Sequence, residues 1–104
     1  MNPVEADRQK HAAALDALAK GRHSDPFALL GLHRADGNRI VRTFQPQANA
    51  VSLIGADGSV LGEMERIHND GIFAATLPPR KRRYRLRIIN FDGTTYDTED
   101  AYRF

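Results

Sequence analysis

Four Asp-Gly dipeptides, Asp36-Gly37, Asp57-Gly58, Asp70-Gly71 and Asp92-Gly93, divide most of this chain into short runs of β-prone residues. Glycine accepts a positive φ without a Cβ clash, and Asp bonds its own backbone, so each pair signals a tight turn. Around these turns the apolar residues recur with a period of two. The runs Ile40 to Phe44, Val51 to Ile54, Val60 to Met64, Ile72 to Leu77, Arg83 to Asn90 and Thr94 to Thr98 read as strands. The run from Arg83 is the clearest, with Tyr84, Leu86 and Ile88 on one face and Arg83, Arg85 and Arg87 on the other. Six or seven short strands joined this way predict an all-β chain, an immunoglobulin-like antiparallel β-sandwich with a short N-terminal helical segment.

The helical segment occupies residues 1–22, and the sandwich 23–104. Asn2 is placed to cap the helix, Pro3 suits its first position, and Glu5 has the spacing of a capping-box acid. Val4, Arg8, His11/Ala12, Leu15 and Leu18/Ala19 form a narrow stripe, and Gly21 supplies a stop. A single helical turn is expected from Ser24 to Gly31, capped by Asp25, started by Pro26 and stopped by Gly31. Phe27, Leu29 and Leu30 would pin it to the core.

A chain of 104 residues with 41% apolar and 27% charged residues makes one folded domain. It contains no cysteine, which removes disulfides, thiolate metal sites and thiol nucleophiles. His11, His23, His33 and His68 lack the helical pair spacing of metal ligands, and bonds from their rings to nearby backbone groups are expected instead. Glu63 and Glu65 flank Met64, on one strand and sharing a face by this reading, without the separation across a cleft that glycoside chemistry needs. There is no phosphate loop, nucleophile elbow or dinucleotide fingerprint. No catalytic residue, metal or cofactor is therefore expected. The net charge of +2 is small for a nucleic-acid binder, although Arg80-Lys81-Arg82-Arg83 is a dense basic run. No secretory leader and no membrane-length apolar run is visible, so a cytoplasmic domain without nucleic-acid or membrane partners is expected.

Three stretches taken together resemble bacterial glycogen branching enzymes. His23-Ser24-Asp25-Pro26-Phe27-Ala28-Leu29-Leu30-Gly31-Leu32-His33 is similar to their H-x-D-P-F-x-x-L-G-x-H opening. Val41-Arg42-Thr43-Phe44-Gln45-Pro46-Gln47-Ala48 resembles their V-R-x-x-x-P-x-A strand and turn. Glu99-Asp100-Ala101-Tyr102-Arg103-Phe104 resembles the D-D-P-Y-R-F that closes the same domain, with Ala101 in place of proline. Between them, Gly71-Ile72-Phe73 and Tyr84-Arg85-Leu86 stand where the family has G-x-F and Y-x-L. The resemblance implies an amino-terminal β-sandwich of a 1,4-α-glucan branching enzyme. Such an enzyme cleaves an α-1,4 linkage and transfers the chain to a 6-hydroxyl, using carboxylates in a downstream (β/α)₈ barrel. It further implies a non-catalytic role in glucan binding and transferred-chain length, with the downstream domains as partners. A structural spacer is the alternative. Sugar faces stack on flat aromatics. With no Trp in the chain, Phe91 and Tyr96, beside the Asp92-Gly93 turn, are the candidate platforms for weak contact with α-glucan, and Tyr102 is a further aromatic of this kind.

Overall fold

The structure, a computed structural model, describes residues 2–23, 25–81 and 83–102. Two helices, α1 (Pro3–Lys10) and α2 (Ala12–Ala19), precede a 3₁₀ turn (Pro26–Ala28). Eight strands follow: β1 (Gly31–Ala35), β2 (Asn38–Phe44), β3 (Ala48–Gly55), β4 (Val60–Glu63), β5 (Glu65–His68), β6 (Ile72–Thr76), β7 (Tyr84–Asn90) and β8 (Thr95–Thr98). They form two antiparallel four-stranded sheets, ordered β1-β2-β6-β5 and β4-β3-β7-β8. The expected all-β sandwich is present.

Its core lies between the sheets, where Val41, Phe73 and Ala75 of one meet Val51, Leu53, Leu86 and Ile88 of the other. The first sheet is covered on both faces. On its outer side Ile40, Ile72 and Ala74 pack with Val4, Leu15, Leu18, Leu29 and Leu30 in a second apolar cluster. The layers are thus helix, sheet, sheet. This explains why β6 is buried from Ile72 through Ala75 instead of alternating.

Several details differ from the sequence reading. The N-terminal helix is two helices, because His11 leaves helical geometry at φ −113° and ψ 17°. Asn2 caps as expected, its Oδ1 accepting from the Glu5 amide at 2.7 Å. The Glu5 carboxylate, however, turns to Arg8 instead of closing a capping box. Asp25 makes no side-chain cap; its backbone carbonyl accepts from Ala28. Gly31 opens β1 where a stop was expected. Phe27 does not enter the core, being 53% exposed, whereas Leu29 and Leu30 are buried.

The run from Val60 to Met64 is not one strand continuing to Glu65. Met64 is the crossover between sheets, so Glu63 pairs opposite Ser52 in one sheet and Glu65 opposite Ala74 in the other. The two acids therefore do not share a face. In β7 the alternation is as read: Tyr84, Leu86 and Ile88 are buried, and Arg85 and Arg87 point outward to Asp97.

The helical layer is fastened by a buried ion pair. Arg42 Nε and Nη2 donate to the two oxygens of Asp7 at 2.8 and 2.7 Å, with side-chain exposures of 3% and 1%. Arg42 Nη1 also donates to the Leu29 carbonyl at 2.7 Å. One guanidinium thus joins α1, β2 and the segment after the 3₁₀ turn, and its planar fork matches the carboxylate in a way an ammonium would not.

A second, exposed fastening joins α2 to β5. His68 Nδ1 accepts the Asp70 amide, so Nε2 carries the proton and donates to Asp16 at 3.0 Å. Hydrogen bonds from Lys20 and from His68 lower the Asp16 carboxyl from its ordinary 3.8 to about 2. Because the folded value lies below the unfolded one, this stabilisation is complete above about pH 4 and is lost as pH falls towards 2. The α2–β5 contact is expected to loosen over that window, read as amide shifts of Asp16 and Asn69. Asp16→Asn should abolish the dependence; an unchanged titration in that variant would contradict it.

Candidate functional site

The β7–β8 hairpin and the segment after it carry the residues of interest. The Asp92-Gly93 turn is held by Asp92, whose Oδ1 accepts the Thr94 amide and hydroxyl. On β8, Asp97 faces outward to Arg87 and Tyr96 stands opposite Ile88, on the inner face of an edge strand. Without a further strand beside it, Tyr96 is 46% exposed.

After β8 the chain is tied back to the sandwich. Tyr84 donates its hydroxyl to Asp100 Oδ2 at 2.5 Å, and Asp100 Oδ1 accepts the Tyr102 amide at 2.9 Å. Gly31, at φ +90°, lies so close that a Cβ there would sit 1.9 Å from the Tyr102 carbonyl oxygen. The Tyr102 ring meets Phe27 edge to face, with centroids 4.7 Å apart. These contacts bring together the three stretches that carry the family resemblance: Phe27 and Gly31 from the first, and Asp100 and Tyr102 from the last. Arg42 of the middle one bonds the Leu29 carbonyl.

Beside this latch is a cleft of about 220 Å³. Its walls include Phe44, Tyr96 and Tyr102, with Gln45, Thr98 and Glu99 among its polar groups. An aromatic face with amide, hydroxyl and carboxylate groups around it suits a polyhydroxylated, uncharged ligand, which needs stacking and several hydrogen bonds. Tyr96 lines this cleft and Phe91 does not. Phe91 is 67% exposed, and the Arg66 guanidinium lies 5.8 Å from its ring centroid and 4.7 Å from that of Phe73. Arg66 Nη2 also donates to the Ala48 carbonyl at 2.9 Å, which anchors the cation between the rings. The two candidate platforms are thus both exposed but are not brought into one site. Gln45 and Thr98 were not singled out from the sequence, since only the fold brings the β2 end beside β8.

The rings of His23 and His33 are engaged by nearby backbone groups, whereas those of His11 and His68 face the carboxylates of Asp7 and Asp16. His23 Nδ1 accepts the Asp25 amide, and His33 Nε2 lies 2.9 Å from the Leu30 carbonyl. Among the described residues no group of three or more His, Cys, Asp or Glu could hold a metal ion. No helix among them is long and apolar enough to cross a membrane.

Comparison with known proteins bears on what this arrangement belongs to. Residues 11–102 match the family model described as alpha-1,4-glucan branching enzyme GlgB, N-terminal domain. The chain is 47% identical over 100 residues to the 1,4-alpha-glucan branching enzyme GlgB of Paramagnetospirillum magneticum, covering 96% of this chain and 13% of that protein. The enzyme of the same name from Rhodospirillum rubrum is 48% identical over 106 residues, covering 94% and 14%. That from Rubrobacter xylanophilus is 45% identical over 91 residues, covering 88% and 12%. The chain therefore spans about one-eighth of the length of these relatives. With its two-sheet sandwich, its latched segment after β8 and a match across nearly its whole length, the chain belongs to the family of N-terminal domains of the branching enzyme GlgB.

Proposed function

We propose that this domain serves a 1,4-α-glucan branching enzyme of glycogen biosynthesis as a non-catalytic, cytoplasmic module that holds α-glucan weakly and so influences the length of chain transferred. The observation that carries this reading is the half-exposed Tyr96 in a cleft with Gln45, Thr98 and Glu99. Tyr96 offers a stacking face for a glucose ring, while the polar groups around it offer partners to its hydroxyls. Phe91 gives a second, separate apolar face on the same hairpin, one side of it near Arg66. A neutral sugar gains little from the arginines of β7. A weak site tethered to a catalytic barrel still raises the local concentration of polymer there, so millimolar contact suffices for an effect. The relatives' names supply the enzyme, and the domain's sandwich, read as immunoglobulin-like, supplies the scaffold.

A second reading rests on the latch. Gly31, Asp100 and Tyr102 fix the direction in which the backbone leaves β8, as a spacer orienting a neighbouring domain would require. Electrophoresis through gels containing glycogen separates the two. Glucan binding predicts that the chain is retarded, that Tyr96→Ala loses most of the retardation and that Phe91→Ala loses less. Migration unaffected by glycogen would leave the spacer reading.

A further inference from the structure

Most of the positive charge that lacks a carboxylate partner is gathered at one end. Arg8, Lys20, Arg22, Arg42, Arg85 and Arg87 each pair with a carboxylate. Seven cations among the described residues form no such pair: Lys10, Arg34, Arg39, Arg66, Arg80, Lys81 and Arg83. Five of them, all but Lys10 and Arg66, lie at the end of the sandwich formed by the β1–β2 hairpin and the loop between β6 and β7. Arg34 and Arg39 stand directly opposite one another in the β1–β2 ladder, an arrangement that costs stability through like-charge repulsion. Arg39 is held across the end of the sandwich, its Nη2 donating to the Pro78 carbonyl. A groove here is lined by Arg34 and Arg39 together with Leu61, Pro78 and Pro79, and a second hollow by Arg80, Lys81 and Arg83 beside Asp57.

The chemistry of this end selects among partners. A neutral glucan has no charge to meet these cations. A single-stranded nucleic acid is held by ring platforms between its phosphate contacts, and neither these two hollows nor the loops forming them hold an aromatic ring. A single small anion needs converging, dehydrated donors, whereas these cations are spread over two hollows. Prolines and a leucine amid arginines are instead the mixture found at protein interfaces, where arginine meets carboxylates with its paired donors.

We propose that this end is a docking surface for an acidic protein segment, with Arg34, Arg39, Arg80, Lys81 and Arg83 meeting its carboxylates and Pro78 and Pro79 its apolar side chains. The test is amide shift mapping of the 104-residue chain with poly-L-glutamate at low salt. Shifts should concentrate in residues 34–39, 56–61 and 77–83, and affinity should fall about tenfold as salt is raised tenfold. The double variant Arg34→Glu/Lys81→Glu, whose side chains lie outside the core, should bind at least about tenfold more weakly, while Tyr96→Ala binds as the parent does. Shifts centred elsewhere, no shifts, undiminished binding by the double variant, or tighter binding of poly-deoxythymidylate than of poly-L-glutamate would each overturn the proposal.

Discussion

Asp7→Ala is expected to destabilise the chain by about 3–5 kcal/mol, the cost typical of leaving one member of a buried ion pair without its partner. The Arg42 guanidinium would keep only the Leu29 carbonyl as a neutral acceptor while remaining 3% exposed. Because the pair joins α1 to β2, loss should also release the helical layer. Urea unfolding followed by circular dichroism would show a lower midpoint, with helical signal lost before the β signal. The double variant Asp7→Leu/Arg42→Met removes both charges and keeps apolar volume, so it should recover most of the lost stability. A single variant as stable as the parent would mean that the pair is not closed in solution.

Gly31→Ala should be nearly as damaging, at roughly 2–4 kcal/mol from left-handed strain together with overpacking. The positive φ is only part of this. Gly37 also has a positive φ, +81°, but a Cβ there meets nothing within 4 Å. Gly37→Ala should therefore cost only the conformational term, about 1–2 kcal/mol. The difference between the two variants isolates the close approach of Tyr102. In Gly31→Ala the segment around Asp100 must move, so the Tyr84 hydroxyl bond should weaken with it, visible as a change at Tyr84 in aromatic-ring NMR spectra. Equal effects of the two alanines would contradict the latch.

The turns and the hairpin around β7 were legible because their determinants are local. Asp-Gly pairs and a strict alternation over Tyr84, Leu86 and Ile88 need no knowledge of the rest of the chain. The crossover at Met64 was not. A strand that continues and a strand that changes sheet both read outward, inward, outward through Glu63, Met64 and Glu65. Arg42 was hidden for a related reason. Its parity in β2 marks a residue on the outer face of the sheet, and only the docking of α1 turns that face into an interior. Asp7 shares the buried face of the first helix with Val4, three residues before it, but an acid gives no apolar signal there, and it is buried because it meets a cation from a distant strand.

The candidate site shows the same division. Exposure of Phe91 follows from its place beside a tight turn, which the Asp92-Gly93 pair announces, whereas that of Tyr96 follows from the edge position of β8. That Tyr96 shares a cleft with Gln45 and Tyr102, and Phe91 shares a cation with Phe73, follows from pairings between distant segments, which no local pattern encodes. The resemblance across Asp100 and Tyr102 marked that segment without giving the reason for it. The structure supplies one, in the Asp100 carboxylate that accepts from both Tyr84 and the Tyr102 backbone.

The central functional claim is that the cleft beside Tyr96 meets α-glucan, and amide shift mapping with maltoheptaose tests it most directly. Shifts are predicted to cluster at Gln45, Tyr96, Thr98 and Tyr102 and to saturate with a dissociation constant in the millimolar range, about 4 kcal/mol of binding free energy. Tyr96→Ala should abolish them while leaving the rest of the spectrum in place. Absence of any perturbation at sugar concentrations on the order of tens of millimolar, well above that constant, would contradict the claim and leave the domain as a spacer.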